Sequence, residues 1–314
     1  MLSSPRDVLG KVLLDIADED PNLVVLTADL GRSCRIDAFA NRFPDRFFDV
    51  GIAEQNLMGI AAGFALYGFI PVACTFAVFT GRAFDQIRQS IAYSNLPVKI
   101  VGTHSGLSNA KDGATHQALF DLALFLNLPH FTILNPRDAD DARTLLPQTF
   151  NRPGPAYFRL SREELPRLGT PPPTLGKGQI LRTGKDVTIA ATGAMVWRSL
   201  AAADQLERYG IAAEVLSYST LKPFDEELLW ESAQKTQGVI TVEDHGILGG
   251  FGSQIAFSLG RHGLPAPHMM GTWETLGDTG SLEDLYRLNG LSVEHIVRKV
   301  ESLLNRQRQP GQKH

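Results

Sequence analysis

Short runs of apolar and β-branched residues alternate with longer stretches of helical periodicity along nearly the whole chain, and this rhythm constrains the fold more than any other feature. NLVVLTAD, FFDV, PVACTF, PVKIVGTH, FTILNP and PAYFRLS read as strands. Between them, a segment from Pro5 to about Asp18, another from Ala53 (AEQNLMGIAAGFALYG), then AFDQIRQSIAYS, QALFDLALFLN and DADDARTLLPQTF read as helices. Strand-helix alternation of this kind predicts a doubly wound α/β domain over residues 1–164. The stretch from Leu165 to Gly178, LPRLGTPPPTLGKG, is rich in Pro and Gly and reads as an interdomain linker. A second α/β unit is expected over residues 179–305. Its strands are DVTIAATG, AAEVLSYS and GVITVEDH, and its helices run from Ala194 to about Tyr209 and over SLEDLYRLN and SVEHIVRKVESLLN. Residues 306–314 read as a fraying polar tail.

Composition narrows the class of function. With 43% hydrophobic and 20% charged residues the chain has ordinary globular composition, and 314 residues suit about two domains. The net charge of -4, with basic residues dispersed, gives no basic patch for nucleic acid. No apolar run approaches the ~18 residues of a membrane span, and MLSSPRDVLG lacks a basic-then-apolar leader, so a cytoplasmic protein is expected. Cys34 and Cys74 have no metal or redox spacing and read as small buried thiols.

Four segments carry candidate chemistry. GIAEQN places Glu54 where a strand hands over to a helix, the edge at which open α/β sheets bind ligands. Partial desolvation there would suit a proton donor; a first-turn glutamate favoured by the helix dipole is the plainer alternative. In TFAVFTGRAF, Phe76 and Phe79 are spaced to share a face, as a wall for a planar heterocycle or as ordinary core. THSGLSNAKDGATHQ gathers His104, Asp112, His116 and several small polar residues in one strand-to-helix loop, either a binding loop or a solvated one. It lacks the spacing of a metal site, and no metal is assigned to this chain. Arg162, at the end of PAYFRLS, can present its guanidinium to a phosphate or make a surface ion pair.

In this order the segments resemble the pyrimidine-binding and C-terminal domains of transketolase, over about residues 4 to 305. The resemblance implies that Glu54 hydrogen-bonds the pyrimidine N1′ of thiamine diphosphate, so that the 4′-amino group can deprotonate the thiazolium carbon. It implies that Phe76 and Phe79 stack on the pyrimidine, that Asp29 contacts the cofactor, and that Arg82 stands where an aromatic residue is frequent. Arg6, Ser33, His104 and Arg162 match positions holding the substrate phosphate. Asp112 and His116 match residues at the sugar hydroxyls, and His116 is placed with Glu54 among the catalytic groups. The family's metal-binding Gly-Asp-Gly motif occurs nowhere in the sequence, and Gly277-Asp278-Thr279-Gly280 does not match it. The resemblance therefore implies a subunit of a split transketolase: Mg2+ or Ca2+ and the diphosphate are held by an N-terminal partner subunit, in a heterotetramer acting on sugar phosphates. VEDHGILGGFGSQIA resembles the C-terminal domain, where His245, Gly249 and Gly250 read as turn and helix-entry residues. Rival readings are a 1-deoxyxylulose-5-phosphate synthase-like enzyme, the β subunit of a 2-oxo acid dehydrogenase, and a non-catalytic regulatory paralogue.

Overall fold

A computed structural model describes residues 2–308. In chain order its elements are β1 (Leu2–Ser3), α1 (Leu9–Glu19), β2 (Leu23–Thr27), α2 (Asp37–Arg42), β3 (Phe47–Asp49), α3 (Glu54–Leu66), β4 (Ile70–Phe76), α4 (Phe84–Gln86), β5 (Lys99–Thr103), α5 (Asp121–Phe125), β6 (Thr132–Leu134), α6 (Ala139–Phe150) and β7 (Ala156–Leu160). There follow β8 (Leu165–Pro166), β9 (Gln179–Arg182), β10 (Val187–Ala191), α7 (Met195–Arg208), β11 (Ala213–Ser217), β12 (Thr220–Lys222), α8 (Glu226–Lys235), β13 (Val239–Gly246), α9 (Phe251–Arg261), β14 (His268–Thr272), α10 (Leu282–Leu288) and α11 (Val293–Arg308).

The first sheet has the order β12-β6-β7-β5-β4-β2-β3 and is parallel except at β12. The second has the order β14-β13-β10-β11-β9 and is parallel except at β9. Helices cover both faces, which is why β2, β5, β7, β10 and β11 are buried along their whole length and read as unbroken apolar runs. Against the first sheet α1 lays the stripe Leu9, Val12, Leu13 and Ala17, at helical spacing. Asp138 caps α6 by accepting the Asp141 N–H at 2.8 Å. The expected two-domain α/β fold is therefore present.

The differences have local causes. Strand β12 comes from the second half of the chain yet pairs antiparallel with β6, so the two sheets are stitched together rather than merely tethered. Inside the expected linker, β8 pairs with β1, and Arg137 donates to Thr170 Oγ1 at 2.7 Å and Pro171 O at 3.3 Å. Of QALFDLALFLN only Asp121–Phe125 is helical, because Gln117 and Ala118 are drawn out into contacts described below. AFDQIRQSIAYS folds as the short α4 followed by a π-helix over Ile87–Ala92. Helix α11 runs into the segment expected to be a tail; residues 309–314 lie outside those described. Both cysteines are buried and free, and burial pushes the Cys34 thiol up to about 11. Among the described residues no helix is long and apolar enough to cross a membrane, and no group of three His, Cys, Asp or Glu is placed to hold a metal.

Candidate active site

The carboxyl ends of the parallel strands in the first sheet converge on one edge, and most sequence-nominated residues lie at or just beyond a strand that ends there, with Asp112 and His116 farther along the loop after β5. Ser33 is in the turn after β2, Glu54 opens α3 after β3, Phe76 ends β4, His104 follows β5 and Arg162 follows β7.

Glu54 is only 2% exposed. Its Oε2 has no hydrogen-bond partner, and the nearest cation is Arg82 Nη1 at 3.2 Å. Arg82 is itself 63% exposed, so the pair joins a buried carboxylate to a solvated guanidinium. The approach to Glu54 is pinned by a residue that sequence reasoning missed. Asp49 Oδ1 accepts the N–H groups of both Asp29 and Gly51 at 2.9 Å, tying the turn after β2 to the loop that leads into α3. Asp29 holds φ 60, a left-handed conformation in which aspartate is better tolerated than most residues.

Phe76 and Phe79 stack with centroids 5.6 Å apart and planes 10° apart. The His104 ring lies against Phe76 at 3.8 Å, and His116 meets Phe79 edge-on at 5.5 Å. The 3₁₀ turn that carries Phe79 also carries Arg82, so the ring pair and the Glu54 carboxylate belong to one wall. A buried carboxylate oxygen whose close neighbour is an exposed guanidinium, with two stacked phenyl rings at the turn that carries that guanidinium, has the chemistry to receive an aminopyrimidine: a flat apolar surface and an acceptor for a ring N–H.

Arg6, on the short 3₁₀ turn before α1, reaches across to this edge. Its Nη1 donates to Ser33 O at 3.4 Å and to His104 Nε2 at 3.1 Å. Because a guanidinium only donates, Nε2 accepts, and the His104 proton sits on Nδ1, facing Thr103 Oγ1 at 2.9 Å. Burial, then the charges of Arg6 and Arg162, push His104 down to about 3, so it is neutral at ordinary pH. Ser33 meets Arg6 through its backbone carbonyl. Arg162 Nη1 donates to Asn109 Oδ1 at 2.8 Å and pairs with Asp112 Oδ2 at 3.4 Å, while Asn109 Nδ2 donates to His116 O at 3.4 Å. Asn109, fully buried, thus links Arg162 to His116; one asparagine in a polar loop carries no pattern that would have singled it out.

The second domain holds this loop. Both Asp244 carboxylate oxygens accept the Leu107 N–H, at 3.0 and 3.2 Å, and Gly106 packs so closely that a Cβ there would lie 2.0 Å from Asp244 Oδ2. Gln117 clasps the Asp278 backbone, donating to its O at 2.6 Å and accepting from its N–H at 3.1 Å. His245, expected in a turn, lies in β13; its Nε2 accepts the Leu122 N–H at 3.1 Å, so its Nδ1–H donates to Gly246 O at 2.7 Å. Burial pushes it down to about 4. Gly249 takes φ 72 in the turn and Gly250 precedes the first residue of α9.

Two buried neutral histidines and two buried carboxyls pull the pH dependence of stability in opposite directions. Between the ordinary histidine value of about 6.5 and the histidines' lowered values, the unfolded chain binds protons that the folded chain excludes. Each histidine therefore lowers stability as pH drops from 6.5 toward 5, by up to about 1.4 kcal/mol per pH unit. Glu243, pushed up to about 8, and Asp141, pushed up to about 6, both by burial, take up protons in the folded state and offset that loss. Urea unfolding at stepped pH checks this with His104→Gln: the parent should lose more stability between pH 6.5 and 5 than the variant does, and equal slopes contradict it.

With the geometry in view, comparison with known proteins is decisive. The transketolase pyrimidine-binding domain matches residues 4–167, and the transketolase C-terminal domain matches residues 176–296. The chain belongs to the transketolase family. It is 39% identical, over 96% of this chain and 94% of the relative, to the 6-deoxy-6-sulfo-D-fructose transketolase subunit of Clostridium sp. (strain MSTE9). A solved structure described as a split gene transketolase, an inactive beta4 tetramer, superimposes with TM-score 0.88 at 43% identity, covering 96% of this chain and 99% of that one. The 1-deoxy-D-xylulose-5-phosphate synthase of Thioalkalivibrio sulfidiphilus is 36% identical over 96% of this chain, which spans only 48% of that enzyme. Transketolase-family enzymes depend on thiamine diphosphate, and a buried carboxylate with a stacked ring pair at the neighbouring turn has chemistry compatible with its pyrimidine half.

Proposed function

We propose that this chain is the subunit of a split transketolase that carries the catalytic glutamate, and that the assembled enzyme moves a two-carbon ketol unit from a phosphorylated ketose to an aldose. The observation carrying this reading is the buried Glu54 Oε2, which makes no hydrogen bond and faces only the exposed Arg82, at the ligand-binding edge of a parallel sheet that also carries the Phe76–Phe79 pair. When bound, thiamine diphosphate supplies the nucleophilic carbon. Glu54 holds a proton at the pyrimidine ring nitrogen, Phe76 and Phe79 orient the ring, and Asp29 contacts the cofactor. Arg6, Ser33, His104 and Arg162 bind the terminal anion, with neutral His104 acting as a dipolar group rather than a cation. Asp112 and His116 hold the sugar hydroxyls, His116 moving protons there. The divalent metal and the diphosphate belong to a partner chain, for which the two relatives that match nearly end to end are the support. A cytoplasmic heterotetramer with two copies of each subunit is the expected assembly.

A second reading, the decarboxylating chemistry of the 1-deoxyxylulose-5-phosphate synthases, is favoured only by their sequence similarity. Incubating the reconstituted pair with each donor separates the two. Two-carbon transfer from a ketose phosphate, with no CO2 release from pyruvate, is expected; CO2 release from pyruvate alone overturns the transketolase reading.

A further inference from the structure

We infer that Arg35, which the resemblance does not nominate, supplies the net positive charge by which the site selects an anionic sugar terminus. The inference rests on the proposed ketol-transfer reading and names the discriminating residue of that same site.

Arg35 stands in the turn between β2 and α2 with φ 62, the left-handed region that costs a non-glycine residue a steric penalty. Gly10 of α1 packs against that turn so closely that a Cβ would lie 2.3 Å from Arg35 O, which fixes the turn against the helix. A strained backbone held rigidly from behind fixes where the Arg35 side chain begins.

Its Nε donates to Asp7 Oδ1 at 3.0 Å, and the same oxygen takes Arg6 Nη2 at 3.3 Å. One carboxylate therefore tethers two guanidiniums that repel each other. Among the described residues the Arg35 Nη groups have no other hydrogen-bond partner, and Arg6 Nε, buried, has none either. Arg35 is close enough for its charge to act on both Arg6 and His104, as Arg162 does.

The charge balance then depends on Arg35. Asp7 neutralises one guanidinium of the pair it tethers, Asp112 neutralises Arg162, and His104 is uncharged. With Arg35 the cluster has one positive charge in excess; without it, none. A neutral cluster still offers hydrogen bonds to an anion, but it no longer attracts one from a distance.

Coulomb energy scales with ligand charge, so deleting Arg35 should act in proportion to the charge on the sugar terminus. The test compares Arg35→Leu and Arg35→Lys in the reconstituted enzyme, with a 6-phosphoketose, a 6-sulfoketose and an uncharged ketose as donors. Arg35→Leu is expected to raise KM about tenfold for the dianionic phosphate and about threefold, roughly the square root, for the monoanionic sulfonate. KM for the uncharged donor and all kcat values should stay within about twofold, Arg35→Lys should restore most of the loss, and the differences should shrink as salt screens the exposed charge. Equal KM changes for all three donors overturn the inference, as does no change where Arg162→Ala raises KM for the anionic donors.

An assay without turnover keeps this apart from the functional reading. Inorganic phosphate should raise the melting temperature of the full-length chain, and Arg35→Leu should weaken that protection about tenfold in apparent Kd, by the same charge argument. Protection equal in both proteins, or absent from the parent, overturns the role of Arg35 even if ketol transfer is observed.

Discussion

Replacing Glu54 by Gln is expected to lower turnover of the reconstituted enzyme by about 10²- to 10⁴-fold, the range for a positioned proton-transfer group. The substitution keeps shape and hydrogen-bonding capacity and removes only the acid. It should not unfold the chain. The amide is cheaper to bury than the carboxylate, and the cation it abandons, Arg82, is 63% exposed and has water to turn to. The melting temperature should therefore stay within a few degrees of the parent while activity collapses. A folded Glu54→Gln subunit that assembles with its partner and keeps turnover within about threefold of the parent removes Glu54 from the chemistry. It would also revive the non-catalytic paralogue, whose fold needs no acid at this position.

Much of this site was legible because its parts sit at strand ends, where residue type and position in a βα unit carry information. Glu54, Phe76, His104 and Arg162 each follow a strand that an apolar run announces, and the structure brings Phe76 and Phe79 into a stack and His104 onto Phe76. What stayed hidden was what binds across long separations. Nothing local marks Asp49 as the acceptor for two loop N–H groups, or Asn109 as the link between Arg162 and His116. Strand β12 was invisible for a related reason: three largely buried residues are too few to show a period, and their pairing with β6 depends on the fold already being formed. The helix expected from Gln117 starts only at Asp121 because Gln117 spends its amide on Asp278, a competition that propensity cannot foresee.

Those long-range contacts change the place of the second domain. Its Asp244 and Asp278 grip the two ends of the loop that carries Asn109, Asp112 and His116. The buried strand β13 presents Asp244 to that loop from a position locked into the second sheet, and α10 packs against the loop's first turn. The loop's geometry is thus a property of the joint between domains.

The joint itself predicts the largest loss of stability. Asp121 and Arg159 are each 2% exposed and meet at 2.8 Å, with Tyr157 donating to the same carboxylate oxygen at 2.7 Å. The other end of the guanidinium donates to Ala118 O at 3.1 Å and Asp244 O at 2.8 Å, so one cation holds the first domain to the second. Burial works against its charge, but Asp121, Asp244 and Tyr157 outweigh burial and hold Arg159 above the ordinary arginine value. Asp121→Ala strands that charge in the interior and is expected to cost about 3–5 kcal/mol, seen as a melting temperature roughly 5–10 °C lower. Asp121→Leu combined with Arg159→Met removes both charges and should cost clearly less than the two single changes added together, a coupling of about 2 kcal/mol or more in a double-mutant cycle. Amide exchange should quicken first at Leu107 and Leu122, whose N–H groups are held by Asp244 and His245 across the joint. Additive single and double variants, or an Asp121→Ala loss below about 1 kcal/mol, would mean that the joint does not depend on this ion pair.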